Sequence, residues 1–227
     1  MALSAVSITL GLHPGHSLRV SIHKDVCDPY TISEQATSFG RTTKEGEDRA
    51  TARDGRFAVM DARRILSLSH IAVAANSALL RIEKFKAKKR NQDGDLKKSF
   101  SRGIALETIV CASGTSHVGS ALRDYAFQQD ANESNKSSTG RSSKRFTLIA
   151  IGYDCPGEAE YASFLSNIGL DDGLSKEEME IYFSRSRDDC ELKDIMKAFK
   201  ITKEEVEMED SSLEKAVITK IASKFVV

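Results

Sequence analysis

The sequence predicts a single α/β (α+β) domain with a small mixed or antiparallel sheet flanked by helices. It has 227 residues, of which 40% are hydrophobic and 29% charged, enough apolar material to bury one core. Short apolar runs typical of strands occur at 57–60, 106–112 and 145–153. Apolar residues at helical spacing recur elsewhere, most clearly over 69–84. Alternating runs of these two kinds indicate an α/β chain.

The first part of the chain favours a strand pair followed by a helix. Apolar residues alternate with polar ones over 18–23, as in a half-buried strand that is antiparallel or lies at an edge. We expect another strand within 4–12, because the His-Pro-Gly sequence at 13–15 favours a turn between the two. A helix is expected near 31–39.

The central stretch, 103–127, is interpreted as a buried strand over 106–112, a tight turn at Gly114 and an amphipathic helix. A strand, a glycine turn and a helix can hold a phosphate at the helix N-terminus. The single glycine and the missing lysine do not match a phosphate-binding P-loop. A plain packing unit and a phosphate site therefore both remain open.

Two polar segments, 40–56 and 128–144, have no apolar periodicity and are interpreted as insertions into one domain spanning 1–227. Helices are expected over 157–168, 176–183 and 191–199. Ser175 is suited to cap the second of these helices.

The last predicted helix, 212–225, is apolar over more than half of its circumference. Asp210, Ser211 or Ser212 is expected to cap it. A helix this apolar either lies wholly in the core or presents one flank to a partner. Leu213, Val217 and Ile221 form one flank, and Ile218, Ala222 and Phe225 form the other. One flank should face inward and the other outward, and the sequence does not show which. The residues that we predict for the partner surface are Leu213, Val217, Ile218, Ile221, Ala222 and Phe225.

Charge is unevenly distributed, although the formal net charge is zero. The stretch 84–102 has eight basic residues and two acidic ones, whereas 171–214 has fifteen acidic residues and seven basic ones. The basic stretch is interpreted as a solvated loop or as a contact for RNA phosphates. The predicted RNA-binding residues are Lys84, Lys88, Lys89, Arg90, Lys97, Lys98 and Arg102.

No catalytic constellation, metal site or cofactor site is predicted. His70 and His117 have no nucleophile or carboxylate partner in a readable motif, so core or capping roles are favoured. The four cysteines are far apart and form no Cys-x-x-Cys pair, which favours reduced thiols in a cytoplasmic or nuclear protein. No apolar run is long enough to span a membrane. The cysteines are Cys27, Cys111, Cys155 and Cys190.

Several segments resemble the TPRKB family, the kinase-binding small subunits of the KEOPS complex. One family pattern is similar to Ala112-Ser113-Gly114-Thr115 followed by a polar pair, Val118 and Ala121-Leu122. Many members have Arg-Gln at the polar pair, where this chain has Ser116-His117. The run IAVAANSAL at 71–79 resembles the family's Ala-Ala-Asn helix. Four more segments are similar to the family: Lys-Asp-Val at 24–26, Val-Met-Asp at 59–61, the strand 145–153, and the C-terminal helix, which is acidic and then aliphatic.

This resemblance implies a non-enzymatic subunit that binds the small atypical kinase/ATPase of KEOPS through the C-terminal helix. KEOPS installs a threonylcarbamoyl group on the adenosine next to the tRNA anticodon. The resemblance also implies contact with the tRNA acceptor end, indirect contact with other KEOPS subunits, and a place in cytoplasm and nucleus. The alternative is a small ligand- or nucleotide-binding α/β enzyme that uses the Gly114 turn.

Overall fold

The fold is built on one antiparallel sheet with helices on both faces. The computed structural model describes residues 4–39, 55–90, 103–115, 117–127, 145–155, 157–170, 173–185, 187–207 and 212–226. Its four strands are β1 (Val6–Thr9), β2 (Ser17–Val26), β3 (Phe57–Asp61) and β4 (Phe146–Tyr153). Their order in the sheet is β1-β2-β4-β3.

The pairing of β4 shows why it is an interior strand. Ile149 of β4 lies opposite Ile22 of β2 and Met60 of β3, and all the described strand pairs are antiparallel. The strands predicted at 18–23, 57–60 and 145–153 are confirmed, and β1 confirms a strand within 4–12. Among these strands, the sheet is antiparallel rather than mixed.

Alternation along β4 directs its side chains into two separate cores. Ile149 and Ile151 belong to the larger core, together with residues of the helices on that face such as Ala74. Leu148 and Ala150 belong to the core on the opposite face. Both faces of the sheet are therefore covered, in keeping with the near-continuous apolar sequence of β4.

Nine α-helices lie within the described residues. A short 3-10 helix, Ala62–Arg64, follows β3. The α-helices are α1 (Pro29–Ser38), α2 (Leu68–Arg90), α3 (Ile104–Ala112), α4 (Val118–Ala126), α5 (Glu158–Asn167), α6 (Lys176–Ser184), α7 (Asp189–Phe199), α8 (Lys203–Glu207) and α9 (Leu213–Val226). The sequence had not predicted α8.

Side-chain caps fix several of the helix starts. Ser175 forms a reciprocal capping box with Glu178 at the start of α6, as its position predicted. At α9 the hydroxyl of Ser212 accepts a hydrogen bond from the main-chain N–H of Lys215 at 3.3 Å. Of the three predicted candidates, Ser212 therefore makes this capping contact.

The predicted strand at 106–112 is wrong, because this segment is helix α3. A short continuous apolar run has the same appearance whether it forms a strand or a helix that is buried on all sides. Every residue from Ala105 to Ala112 is buried. Within the helix, the hydroxyl of Thr108 donates to the main-chain oxygen of Ile104 at 2.9 Å. The turn at Gly114 therefore joins two helices, α3 and α4.

Helix α2 is longer than the predicted 69–84 and extends to Arg90. The first part of the basic stretch is consequently helical rather than a loop. Residues 91–102 lie outside the described residues. The two predicted insertions also lie outside them, apart from Gly55 and Arg56.

The C-terminal helices enclose a third, smaller core. It consists of Ile195, Phe199, Ile201, Val217 and Ile221. Leu66 and Val73 pack against this cluster from the region of α2. We refer to these five buried residues as the C-terminal cluster.

Candidate functional site

Helix α9 buries one flank and exposes another. Val217 and Ile221 are fully or almost fully buried in the C-terminal cluster, and Leu213 packs against them. Ile218 is only partly buried and Ala222 is exposed. The side chain of Phe225 lies outside the described part of the structure. Of the two predicted flanks, the one containing Val217 therefore faces inward.

This orientation corrects part of the predicted partner surface. Val217 and Ile221 fill the protein's own core, so a partner cannot reach them while the domain is folded, and Leu213 packs in the same direction. The i, i+4 spacing identified one face of the helix, but spacing alone does not say what covers that face. Ile218 and Ala222 remain accessible, and we call them the outer flank of α9.

The predicted RNA-binding stretch is only partly described. Lys84 is exposed on α2. Lys88, Lys89 and Arg90 form the last turn of α2, and their side chains lie outside the described part. Lys97, Lys98 and Arg102 lie outside it altogether. Their grouping into one surface stays a prediction.

A cleft of about 480 Å³ lies between the α3–α4 turn, the end of α7 and the last turns of α9. We call it the basic cleft, because three lysines line it: Lys200, directly after the end of α7, and Lys220 and Lys224 on α9. The turn contributes Gly114, Thr115 and His117 to the wall, and Cys111 of α3 also lines the cleft.

Gly114 fixes the shape of the turn beside this cleft. Its φ of +67° lies in the left-handed region, which glycine adopts without the cost that a side chain brings. A Cβ atom at this position would also lie 2.7 Å from the ring of Phe199. The turn can therefore pack closely on α7 only because residue 114 has no side chain.

The thiol of Cys111 is not set up as a nucleophile. Burial, reinforced by the nearby Glu107, raises the pKa of Cys111 to about 12. Glu107 is itself buried in an ion pair with Arg81. Because the thiolate is the reactive form of cysteine, Cys111 is chemically inert at neutral pH.

His70 is a core residue, as its sequence context predicted. Its ring is fully buried; Nε2–H donates to the main-chain oxygen of Ala112 at 3.0 Å, and Nδ1 accepts from Leu66 N–H at 3.3 Å. Burial lowers the pKa of His70 to about 4, so the ring is neutral at pH 7. His117, in contrast, is exposed at the start of α4 and makes no side-chain capping bond.

Sequence analysis missed the three lysines of the basic cleft. Lys220 and Lys224 are one helical turn apart, and that spacing was readable from the sequence. Lys200 joins them only through the packing of α7 against α9, which sequence spacing does not reveal.

Neither a metal-binding cluster nor a membrane-spanning helix lies within the described residues. There, no three histidine, cysteine, aspartate or glutamate side chains are placed to hold a metal ion. No helix in the same part of the chain is long and apolar enough to cross a membrane.

Comparison with known proteins identifies the class of protein to which this fold belongs. Residues 24–225 match the family model described as kinase binding protein CGI-121. Because the match covers nearly the whole chain, the chain belongs to the CGI-121 family of kinase-binding proteins. This confirms the resemblance to TPRKB-like subunits. No curated protein matched the chain.

Proposed function

We propose that this protein is a non-catalytic subunit of the KEOPS complex and binds the small atypical kinase/ATPase of that complex through the outer flank of α9. Membership in a kinase-binding family is the observation that carries the proposal. Ile218 and Ala222 support the choice of surface, because they belong to the apolar face of α9 but are not buried in the protein's own core.

In this role the protein supports threonylcarbamoyl modification of the adenosine next to the tRNA anticodon, in cytoplasm and nucleus. It contacts the other subunits indirectly. A non-catalytic role is compatible with the chemistry of Cys111 and His70. The thiol of Cys111 is protonated, and both ring nitrogens of His70 are engaged in hydrogen bonds. The alternative, a small ligand- or nucleotide-binding enzyme, is less well supported. Its site required a strand before the Gly114 turn, and that segment is helix α3.

Co-purification of the protein with the KEOPS kinase tests the proposed surface. Replacing Ile218 by Arg should abolish co-purification, because a charge placed in an apolar contact costs on the order of 2–4 kcal/mol. The matched control is Ile181→Arg on α6, where the isoleucine is 68% exposed. That variant should still bind. Retained binding by a folded Ile218→Arg variant would exclude this flank as the interface.

We propose as a second role that the basic stretch 84–102 contacts tRNA, at the acceptor end. The proposal is supported by the excess of positive charge and by the exposure of Lys84. It is independent of kinase binding, because none of these residues belongs to α9.

A further inference from the structure

The basic cleft is a feature of α9 that the proposed kinase contact leaves unexplained. Lys220 and Lys224 line the cleft, whereas the outer flank carries Ile218 and Ala222. Residues two positions apart on a helix do not share a face. A partner bound to the outer flank would therefore not cover the lysines of the cleft.

Among the described residues that line this cleft, three are lysines and none is acidic. Glu205 pairs with Lys220 at 3.0 Å, but both side chains are 42% exposed, and such exposed pairs contribute little. Lys200 makes no ion pair within the described part of the chain. Three ammonium groups brought together in this way favour a ligand with several negative charges.

One side chain other than the lysines also offers a hydrogen-bond donor at the cleft. Thr115 Oγ1 accepts a hydrogen bond from His117 N–H at 3.1 Å, which leaves the threonine O–H as a donor. Ser223 also lines the cleft, but its O–H donates to the main-chain oxygen of Lys220 at 3.3 Å, so it is not a donor for a ligand. Phosphate oxygens accept hydrogen bonds from ammonium and hydroxyl groups, and charge-assisted bonds of this kind are the stronger ones.

The size of the cleft limits the ligand. Small-molecule sites occupy roughly 300–1,000 Å³, and this cleft has about 480 Å³. The ring of Phe199 and the side chain of Ile221 supply apolar parts of the wall. A cleft with cationic and apolar parts accommodates a compact organic group that carries phosphates.

We propose that the basic cleft binds the phosphate groups of a small phosphorylated ligand of nucleotide size. Lys200, Lys220 and Lys224 contact the phosphate oxygens, and Thr115 donates a further hydrogen bond. This site goes beyond the proposed kinase-binding function and does not depend on it.

Isothermal titration of the full-length protein with pyrophosphate, ADP and adenosine tests this inference. Pyrophosphate and ADP should bind, whereas adenosine, which has no phosphate, should not. Lys200→Ala and Lys220→Ala should each weaken binding on the order of tenfold, because each removes a charge-assisted contact. The matched controls are Lys197→Ala on α7 and Lys215→Ala on α9. Both lysines are exposed and lie outside the lining of the cleft, so binding should be unchanged.

Circular dichroism should show that all four variants are folded. The inference is overturned if neither pyrophosphate nor ADP binds, or if the cleft variants bind as tightly as the controls. Equal binding of adenosine and ADP would also overturn it. If a short single-stranded RNA binds through the cleft lysines while pyrophosphate and ADP do not, the cleft is a nucleic-acid site and the small-ligand inference is wrong.

Discussion

The side-chain ammonium group of Lys224 donates a hydrogen bond to the main-chain oxygen of Gly114 at 2.7 Å. This bond connects the last turns of α9 to the turn between α3 and α4. Both residues line the basic cleft, and the bond links residues that are 110 positions apart in sequence. The position of the turn is therefore coupled to the position of the C-terminal helix.

Replacing Gly114 by Ala should lower the free energy of unfolding by about 2 kcal/mol or more. The new methyl group would require an unfavourable positive φ and would collide with the ring of Phe199. Urea denaturation measures the change. Gly119→Ala is the matched control, because Gly119 lies in α4 with open space at its Cβ position. This control should be neutral or stabilising by about 0.5 kcal/mol. Equal stability of the Gly114→Ala variant and the wild type would contradict the described turn.

Replacing Val217 by Arg should unfold the domain or destabilise it by more than about 3 kcal/mol. Val217 is fully buried in the C-terminal cluster, which has no partner for a guanidinium group. Thermal denaturation followed by circular dichroism measures the effect. Ala222→Arg, at an exposed position of the same helix, should change stability by no more than about 0.5 kcal/mol. The opposite pattern would mean that α9 is rotated relative to the structure described.

His70 should make the stability of the protein fall as pH decreases from about 6.5 towards 4. Its pKa is about 4 when folded and about 6.5 when unfolded, so between these values the unfolded state binds more protons. The effect of His70 is absent above pH 6.5. Between pH 6.5 and 4 the loss of unfolding free energy approaches about 1.4 kcal/mol per pH unit. Urea denaturation at successive pH values measures the slope.

A His70→Gln variant should be less stable at pH 7 but should show a smaller slope between pH 6.5 and 4.5. His117→Gln should keep the wild-type slope, because that side chain is exposed and makes no capping bond. If the His70→Gln variant keeps the full slope, another group is responsible for the pH dependence.

Binding of tRNA should be lost when Lys88, Lys89, Arg90, Lys97 and Lys98 are replaced by Glu. Wild-type affinity should also fall steeply with added salt, because phosphate contacts release counterions. Filter binding at several salt concentrations measures both effects. A control with the same change in net charge reverses five exposed lysines elsewhere: Lys176, Lys193, Lys197, Lys203 and Lys215. Equal loss of binding in both variants would show that net charge alone, and not this stretch, determines the affinity.

Sequence periodicity predicted most of the fold wherever an element has two different faces. The strand β2 and the helix α2 were found in this way. The strand β4 was predicted from its near-continuous apolar run, and the cap at Ser175 from its residue type and position. Helix α3 was missed because it is buried on every side, and it therefore lacks the contrast between apolar and polar positions that makes a helix recognisable by its period.

The candidate site was predictable to a smaller extent. The spacing of Val217 and Ile221 showed that they share a face, but only the packing of α7 and α2 against α9 shows that this face is internal. Lys200 and Lys224 line the same cleft only because α7 packs against α9. No local sequence pattern encodes that contact. Residues that share one helix were therefore easier to predict than residues brought together by folding.

The separation of the C-terminal cluster from the two cores of the sheet has a consequence for hydrogen exchange. Among the described residues, five buried side chains form this cluster, fewer than form either of the sheet's cores. Small cooperative units open at a lower free energy than the whole protein. The amide hydrogens of α9 should therefore exchange with solvent before those of β4, and a bound kinase should slow that exchange.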